Sequence, residues 1–173
     1  VGLYHHLRKF CADRFYPLEI LEHETYGIPN ATNKINHPKL IKFFDGLEMP
    51  FEQREYQYDA ITHSIENKRC ILLSPTGSGK SFIIYNVLRY IQHQSENKIL
   101  VVVPTTSLVE QMYKDFADYG YNVEDNCHMI YSGKDKVTDK QVIISTWQSI
   151  YKFSGEWFEQ FDCVFGDEVH LFK

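Results

Sequence analysis

From position 70 onward, apolar residues fall in short runs separated by segments of mixed character. That alternation predicts an α/β domain with a mostly parallel sheet covered by helices. The runs are CILL at 70–73, ILVVV at 99–103, CHMIY at 127–131, VIIS at 142–145 and CVF at 163–165. Between the first two, SFIIYNVLRYI sets Ile83, Ile84, Val87, Leu88 and Ile91 on one face of a helix. A second helix is expected after Ser107, with Leu108, Val109, Met112 and Phe116 as its stripe and Gly120 as its C-terminal stop. The polar stretch SGKDKVTDKQ at 132–141 is too short for a packed helix and reads as an exposed loop.

Upstream the pattern changes. Leu3, Leu7, Phe10 and Cys11 recur at helical spacing, and YPLEILEH at 16–23 has the look of a strand. Residues 25–50 contain three prolines and several Asn and Gly, so a linker is expected there. The division that follows is a tail of an upstream accessory domain at 1–24, a linker or boundary at 25–50, and a lobe at 51–173. The chain opens on Val1 and closes on DEVHLFK, which suggests a fragment truncated soon after its last motif, with the sheet incomplete at its C-terminal end.

Charge narrows the possible partners. The net charge is −5, with six basic and six acidic residues in 1–50 and twelve against seventeen in 51–173. A protein that grips nucleic acid by a broad basic face would look different, so any such contact is expected to be local. Four scattered cysteines without a C-x-x-C pair fit free thiols in a reducing, cytoplasmic setting. The histidines lack metal-ligand spacing, and no apolar run is long enough for a membrane span.

The chemistry concentrates in two stretches. SPTGSGKS at 74–81 matches G-x-x-x-x-G-K-[ST] except that Ser74 stands where the first glycine is usual. Gly77 and Gly79 let the backbone of Pro75-Thr76-Gly77-Ser78-Gly79 turn so that the N–H groups after Pro75 converge on an anion at a helix N-terminus. Lys80 would reach the terminal phosphates, and the Ser81 hydroxyl would join a magnesium shell. The first position has only to end a strand and begin a turn, which Ser74 and Pro75 can do. A glycine-rich turn can occur in any such fold, but here an apolar run precedes it and an amphipathic segment follows.

The second stretch is CVFGDEVH. An acidic pair at the end of an apolar strand puts Asp167 where a nucleotide-bound magnesium would sit and Glu168 where it could orient and deprotonate water. Asp167 comes 87 positions after Lys80, about three strand–helix units.

Together TGSGKS and DEVH resemble motifs I and II of superfamily two helicases and translocases, in the D-E-x-H variant. Three further stretches are similar to that family: REYQYDAI at 54–61, VVVPTTSLVEQ at 101–111 and ISTWQSI at 144–150. The resemblance implies a first RecA-like P-loop NTPase lobe that uses ATP and Mg2+. It implies that Gln57 reads the adenine edge with support from Arg54, and that Pro104, Thr105, Thr106, Gln111 and Thr146 contact a nucleic-acid backbone. His170 would couple the two sites. Trp147 and Gln148 follow the same strand end, with Trp147 equally suited to the core. Hydroxyl and backbone donors can hold phosphates without net charge, which reconciles an acidic lobe with a DNA partner.

A narrower resemblance to phage recombination helicases extends upstream to LRKFCADRF and onward to GEWFEQFD. It implies ATP-driven remodelling of branched DNA such as forks, Holliday junctions and R-loops, in the cytoplasm of a host cell. It departs at Gly166, where relatives carry a bulky apolar residue and where glycine is expected to loosen the strand end. Hydrolysis in the family takes place between two lobes, the second supplying an arginine, so the lobe alone is expected to turn over little. A duplex translocase of the restriction or remodelling type and a non-hydrolysing nucleotide-binding module remain as alternatives.

Overall fold

The computed structural model describes residues 4–19, 35–131 and 137–172. Its centre is a parallel sheet of four strands in the order β2-β3-β1-β4. These are β1 (Lys98–Val103), β2 (Cys127–Ile130), β3 (Val142–Thr146) and β4 (Phe161–Gly166). β1 is central, with Val103 opposite Thr146 on one side and Val102 opposite Gly166 on the other. Its burial is complete from Ile99 to Val103, as a strand covered on both faces requires.

One face is covered by α4 (Lys80–Gln94) and α5 (Thr106–Asp118). Tyr85 and Leu88 of α4 meet Val109, Met112 and Phe116 of α5 over Ile99, Val101 and Val103. Both helices follow the expected stripes, although α4 is buried on two sides. Its Ile83 and Val87 pack with Ile61 of α3 (Glu55–Asn67) and with Leu40 and Phe44 of α2 (His37–Asp45). Asn86, fully buried between the two sides, donates to the Phe82 carbonyl at 2.7 Å and accepts from Gln53 at 2.6 Å, so no polar group is stranded there. After α5, Gly120 takes a left-handed turn with φ of +89°, and α6 (Val123–Asn126) leads into β2.

The opposite face is closed by an aromatic cluster. α7 (Trp147–Ile150) and α8 (Gly155–Phe158) bring Trp147, Phe153 and Trp157 onto Leu100, Val102 and Ile143. Trp157 packs against Phe153 and Phe161 at 4.7 and 4.9 Å between ring centroids.

Two expectations are corrected here. The CILL run at 70–73 forms no strand and pairs with none, with Ile71 89 % and Leu73 101 % exposed. Its apolar character suits a strand, but a strand needs a neighbouring ladder, and β4 is not paired with it. Within the segment expected to be a linker, residues 37–45 form α2, whose Leu40 and Phe44 are buried. The upstream helix forms as α1 (Tyr4–Asp13), with Leu7 and Phe10 about half exposed, Cys11 buried and Leu3 outside the described residues. Residues 20–34, which include most of the expected strand at 16–23, and 132–136 of the expected loop lie outside the described residues. The four cysteines are free thiols, and among the described residues no helix is long and apolar enough to cross a membrane.

Gly166 does not loosen the strand end. A Cβ there would lie 2.5 Å from Val169 Cγ1, because the short 3-10 turn Val169–Leu171 folds back over the strand. Glycine is what allows that close approach. Gly166→Leu is expected to destabilise the fold by about 1–3 kcal/mol through overpacking, read as a lower urea midpoint. An unchanged midpoint would show that the turn moves aside freely.

Candidate functional site

The candidate residues gather at the carboxyl edge of the sheet, where open parallel sheets place their ligands. Pro104 and Thr105 follow β1, Thr146 ends β3 beside Val103, and Asp167 follows β4. The loop 74–79 enters the same region as it turns into α4.

Several contacts shape the loop. Gly77 and Gly79 both take φ of +79°, a region other residues enter only with strain. At Gly79 space is also short, since a Cβ would lie 2.5 Å from Gln57 Nε2. Ser78 N–H donates to the Pro75 carbonyl at 3.3 Å. Ser74 and Ser78 hydroxyls meet at 2.5 Å, so the serine in the usual glycine position ties the loop to itself. Pro75 and Thr76 line an outer groove with Ile71 and Leu73.

Gln57 sits one turn into α3, and its side chain is already employed. Its Oε1 accepts from Arg54 N–H at 3.0 Å and its Nε2 donates to the Ser78 carbonyl at 3.0 Å. The Tyr56 hydroxyl donates to the same carbonyl at 2.9 Å. Arg54, Gln57, Gly77, Ser78 and Gly79 then line a cavity of ≈ 550 Å³, closed by Phe51, Phe82 and Tyr119. Tyr56, Phe51 and Tyr119 are the residues the motif reading missed. Tyr56 stands next to Gln57 in the REYQ stretch, whereas nothing local marks Tyr119.

The two distant motifs meet directly. Lys80 Nζ lies 2.8 Å from Glu168 Oε1, and His170 Nδ1 lies 3.5 Å from Glu168 Oε2 with its own ring largely exposed. The hydrogen bond from Lys80 holds the Glu168 carboxyl below the usual glutamate range. Asp167, beside it, is pushed up by burial and by the Glu168 charge. Asp167 N–H donates to the Val102 carbonyl at 2.9 Å, extending the ladder by one bond. Glu168 itself is left-handed, with φ of +51°, a strained conformation of the kind found at functional sites.

The remaining candidates occupy the other part of the edge. Thr105 caps α5, its hydroxyl accepting from Leu108 N–H at 3.3 Å, while Thr106 and Gln111 are exposed. Pro104 and Thr146 are buried, and Thr146 Oγ1 pairs with Ser149 Oγ at 2.9 Å. Gln148 Nε2 donates to the Pro104 carbonyl at 3.3 Å and so joins the segments that follow β3 and β1. Trp147 packs in the aromatic cluster, its buried Nε1 without a hydrogen-bond partner among the described residues.

Known proteins are similar to this chain. Residues 50–173 match the family described as type III restriction enzyme, res subunit. The ATP-dependent DNA helicase uvsW of Enterobacteria phage T4 is 34 % identical over 98 % of this chain and 35 % of its own length. The DNA 3'-5' translocase XPB2 of Sulfurisphaera tokodaii is 29 % identical over 73 % of this chain and 28 % of its length. The chain thus spans about a third of the curated relatives it matches. The crystal structure of the UvsW helicase from bacteriophage T4 superposes with a TM-score of 0.85 at 32 % identity, covering 99 % of this chain and 62 % of that one. With its parallel RecA-like sheet and this match over residues 50–173, the chain belongs to the type III restriction enzyme res-subunit family, among the superfamily two helicases.

Proposed function

We propose that this chain is the nucleotide-binding lobe of an ATP-driven DNA helicase or translocase. The observation that carries the reading is the 2.8 Å contact between Lys80 and Glu168, which joins phosphate-binding and water-activating chemistry from opposite ends of the lobe.

The residues fit a nucleotide with a divalent cation. Gly77 and Gly79 open the loop backbone, and the cavity beside Gln57 suits a base. The Ser81 hydroxyl and the Asp167 carboxylate are hard oxygen donors, and a raised Asp167 marks a place where added positive charge is welcome. A magnesium ion there would offset charge on the phosphates. As Lys80 turns to the phosphates, Glu168 loses the partner that depresses its pKa and becomes a better acceptor for the proton of an attacking water.

The substrate is inferred from the relatives and from the edge chemistry. Thr105, Thr106 and Gln111 offer uncharged donors beside the nucleotide site, suited to a DNA backbone. Branched DNA is the favoured substrate, on the resemblance of the upstream stretch and of GEWFEQFD to phage recombination helicases. The name of the Sulfurisphaera tokodaii relative supports a DNA translocase as the second reading. A second lobe of the same protein would complete the hydrolytic site.

The test is ATP hydrolysis by the full-length protein without nucleic acid and with single-stranded, duplex or forked DNA or RNA. Stimulation by forked DNA supports the branched-DNA helicase, and stimulation by plain duplex alone supports the translocase. No stimulated hydrolysis on any of them overturns the motor and leaves a nucleotide-binding module.

A further inference from the structure

Tyr119 enters the site from an unexpected direction. It is the C-terminal cap of α5, its N–H donating to the Asp115 carbonyl at 3.0 Å. Its hydroxyl lies 2.8 Å from Ser81 Oγ, in the first turn of α4. Its ring packs edge-on against Phe82 at 5.1 Å and Phe51 at 6.0 Å, forming a wall of the cavity beside Gln57. Burial pushes its phenol up, so the hydroxyl is neutral and keeps its proton at ordinary pH.

That contact bears on what Ser81 can do. A serine hydroxyl serves a cation through an oxygen lone pair directed at it. Here the hydroxyl is held toward α5 by Tyr119 and has no hydrogen bond to Asp167 among the described residues. We propose that Tyr119 is a positioning residue of the nucleotide site that competes with a divalent cation for the Ser81 hydroxyl. It holds that hydroxyl aside until a nucleotide–cation complex draws it across. This inference rests on the nucleotide-site reading above. Its consequence is a threshold: the site takes up the cation only at a higher concentration, because the cation must offer Ser81 something in exchange for Tyr119.

Tyr119→Phe keeps the ring and removes the hydroxyl. In the full-length protein, binding of a fluorescent ATP analogue would be followed while Mg2+ is varied, and again in EDTA. The half-saturating Mg2+ concentration is expected to fall about fivefold, the worth of one ordinary hydrogen bond, while binding in EDTA stays unchanged. An unchanged or raised half-saturation overturns the proposal. So does a parallel loss of binding with and without Mg2+ alongside a lower melting temperature, which would mark Tyr119 as packing only. Lys80→Ala separates the two levels. Wild-type binding that is indifferent to Lys80→Ala defeats the nucleotide site and the proposal together, whereas Lys80-dependent binding without a Tyr119→Phe shift defeats the role of Tyr119 alone.

Discussion

Glu168→Gln in the full-length protein is expected to lower DNA-stimulated ATP hydrolysis by about 10²- to 10⁴-fold, the range for loss of a general base, with nucleotide affinity kept or improved. The improvement follows from the ion pair. Glutamine keeps the shape but releases Lys80 from the partner it holds at 2.8 Å, so Lys80 no longer has to abandon a carboxylate to reach a phosphate. Equilibrium binding and single-turnover hydrolysis check the two halves, and turnover that survives the substitution would remove Glu168 from the role of base. The pH dependence has a definite sign. The folded pKa of Glu168 is depressed, chiefly by the Lys80 hydrogen bond. Its stabilising contribution is therefore complete above the unfolded value and lost as pH falls through the lower folded value. The Gln variant should lack that acid limb in a melt series.

Lys80→Ala should act on binding as well as turnover. Removing a donor aimed at developing charge costs about 10² to 10³ in rate, and here the ground-state phosphates lose the same cation. The substitution also strips Glu168 of the hydrogen bond that depresses its pKa, leaving it beside Asp167 and His170. Mixed effects are thus expected: weak nucleotide binding, little hydrolysis, and loss of the acid limb as in the Gln variant. Binding that persists at wild-type strength would mean that the nucleotide is not held at this site.

The sequence was most legible where its signals were local. The stripes of α4 and α5, the runs that became β1 and β3 and the left-handed turn at Gly120 all follow from periodicity and backbone preference. That Lys80 and Glu168 serve one site was expected from their motifs, whereas their direct contact was not. Proline misled the reading of α2. Pro38 lies in the first helical turn, where no N–H is needed, and Asn36 caps that turn by accepting from Lys39 N–H. A residue read as a breaker therefore stands at a helix start. At 70–73 the fault was the opposite, since composition reports a liking for strand and not the presence of a partner. Gly166 and Tyr119 depend on what folds over them, Val169 in one case and α4 in the other, and neither proximity has a signature along the chain.

The placement of β1 at the centre of the sheet also sets a timetable. β1 finds its two neighbours only after β3 and β4 have been made, and Asp167 leaves the ribosome 87 residues after Lys80. At about 5–20 residues per second that delay is roughly 4 to 17 s. Throughout it the nascent chain carries the loop of the site without its acidic pair. Ile71 and Leu73, bare even when the sheet is finished, then have nothing of their own to cover them, and early capture by a chaperone would find its handle there.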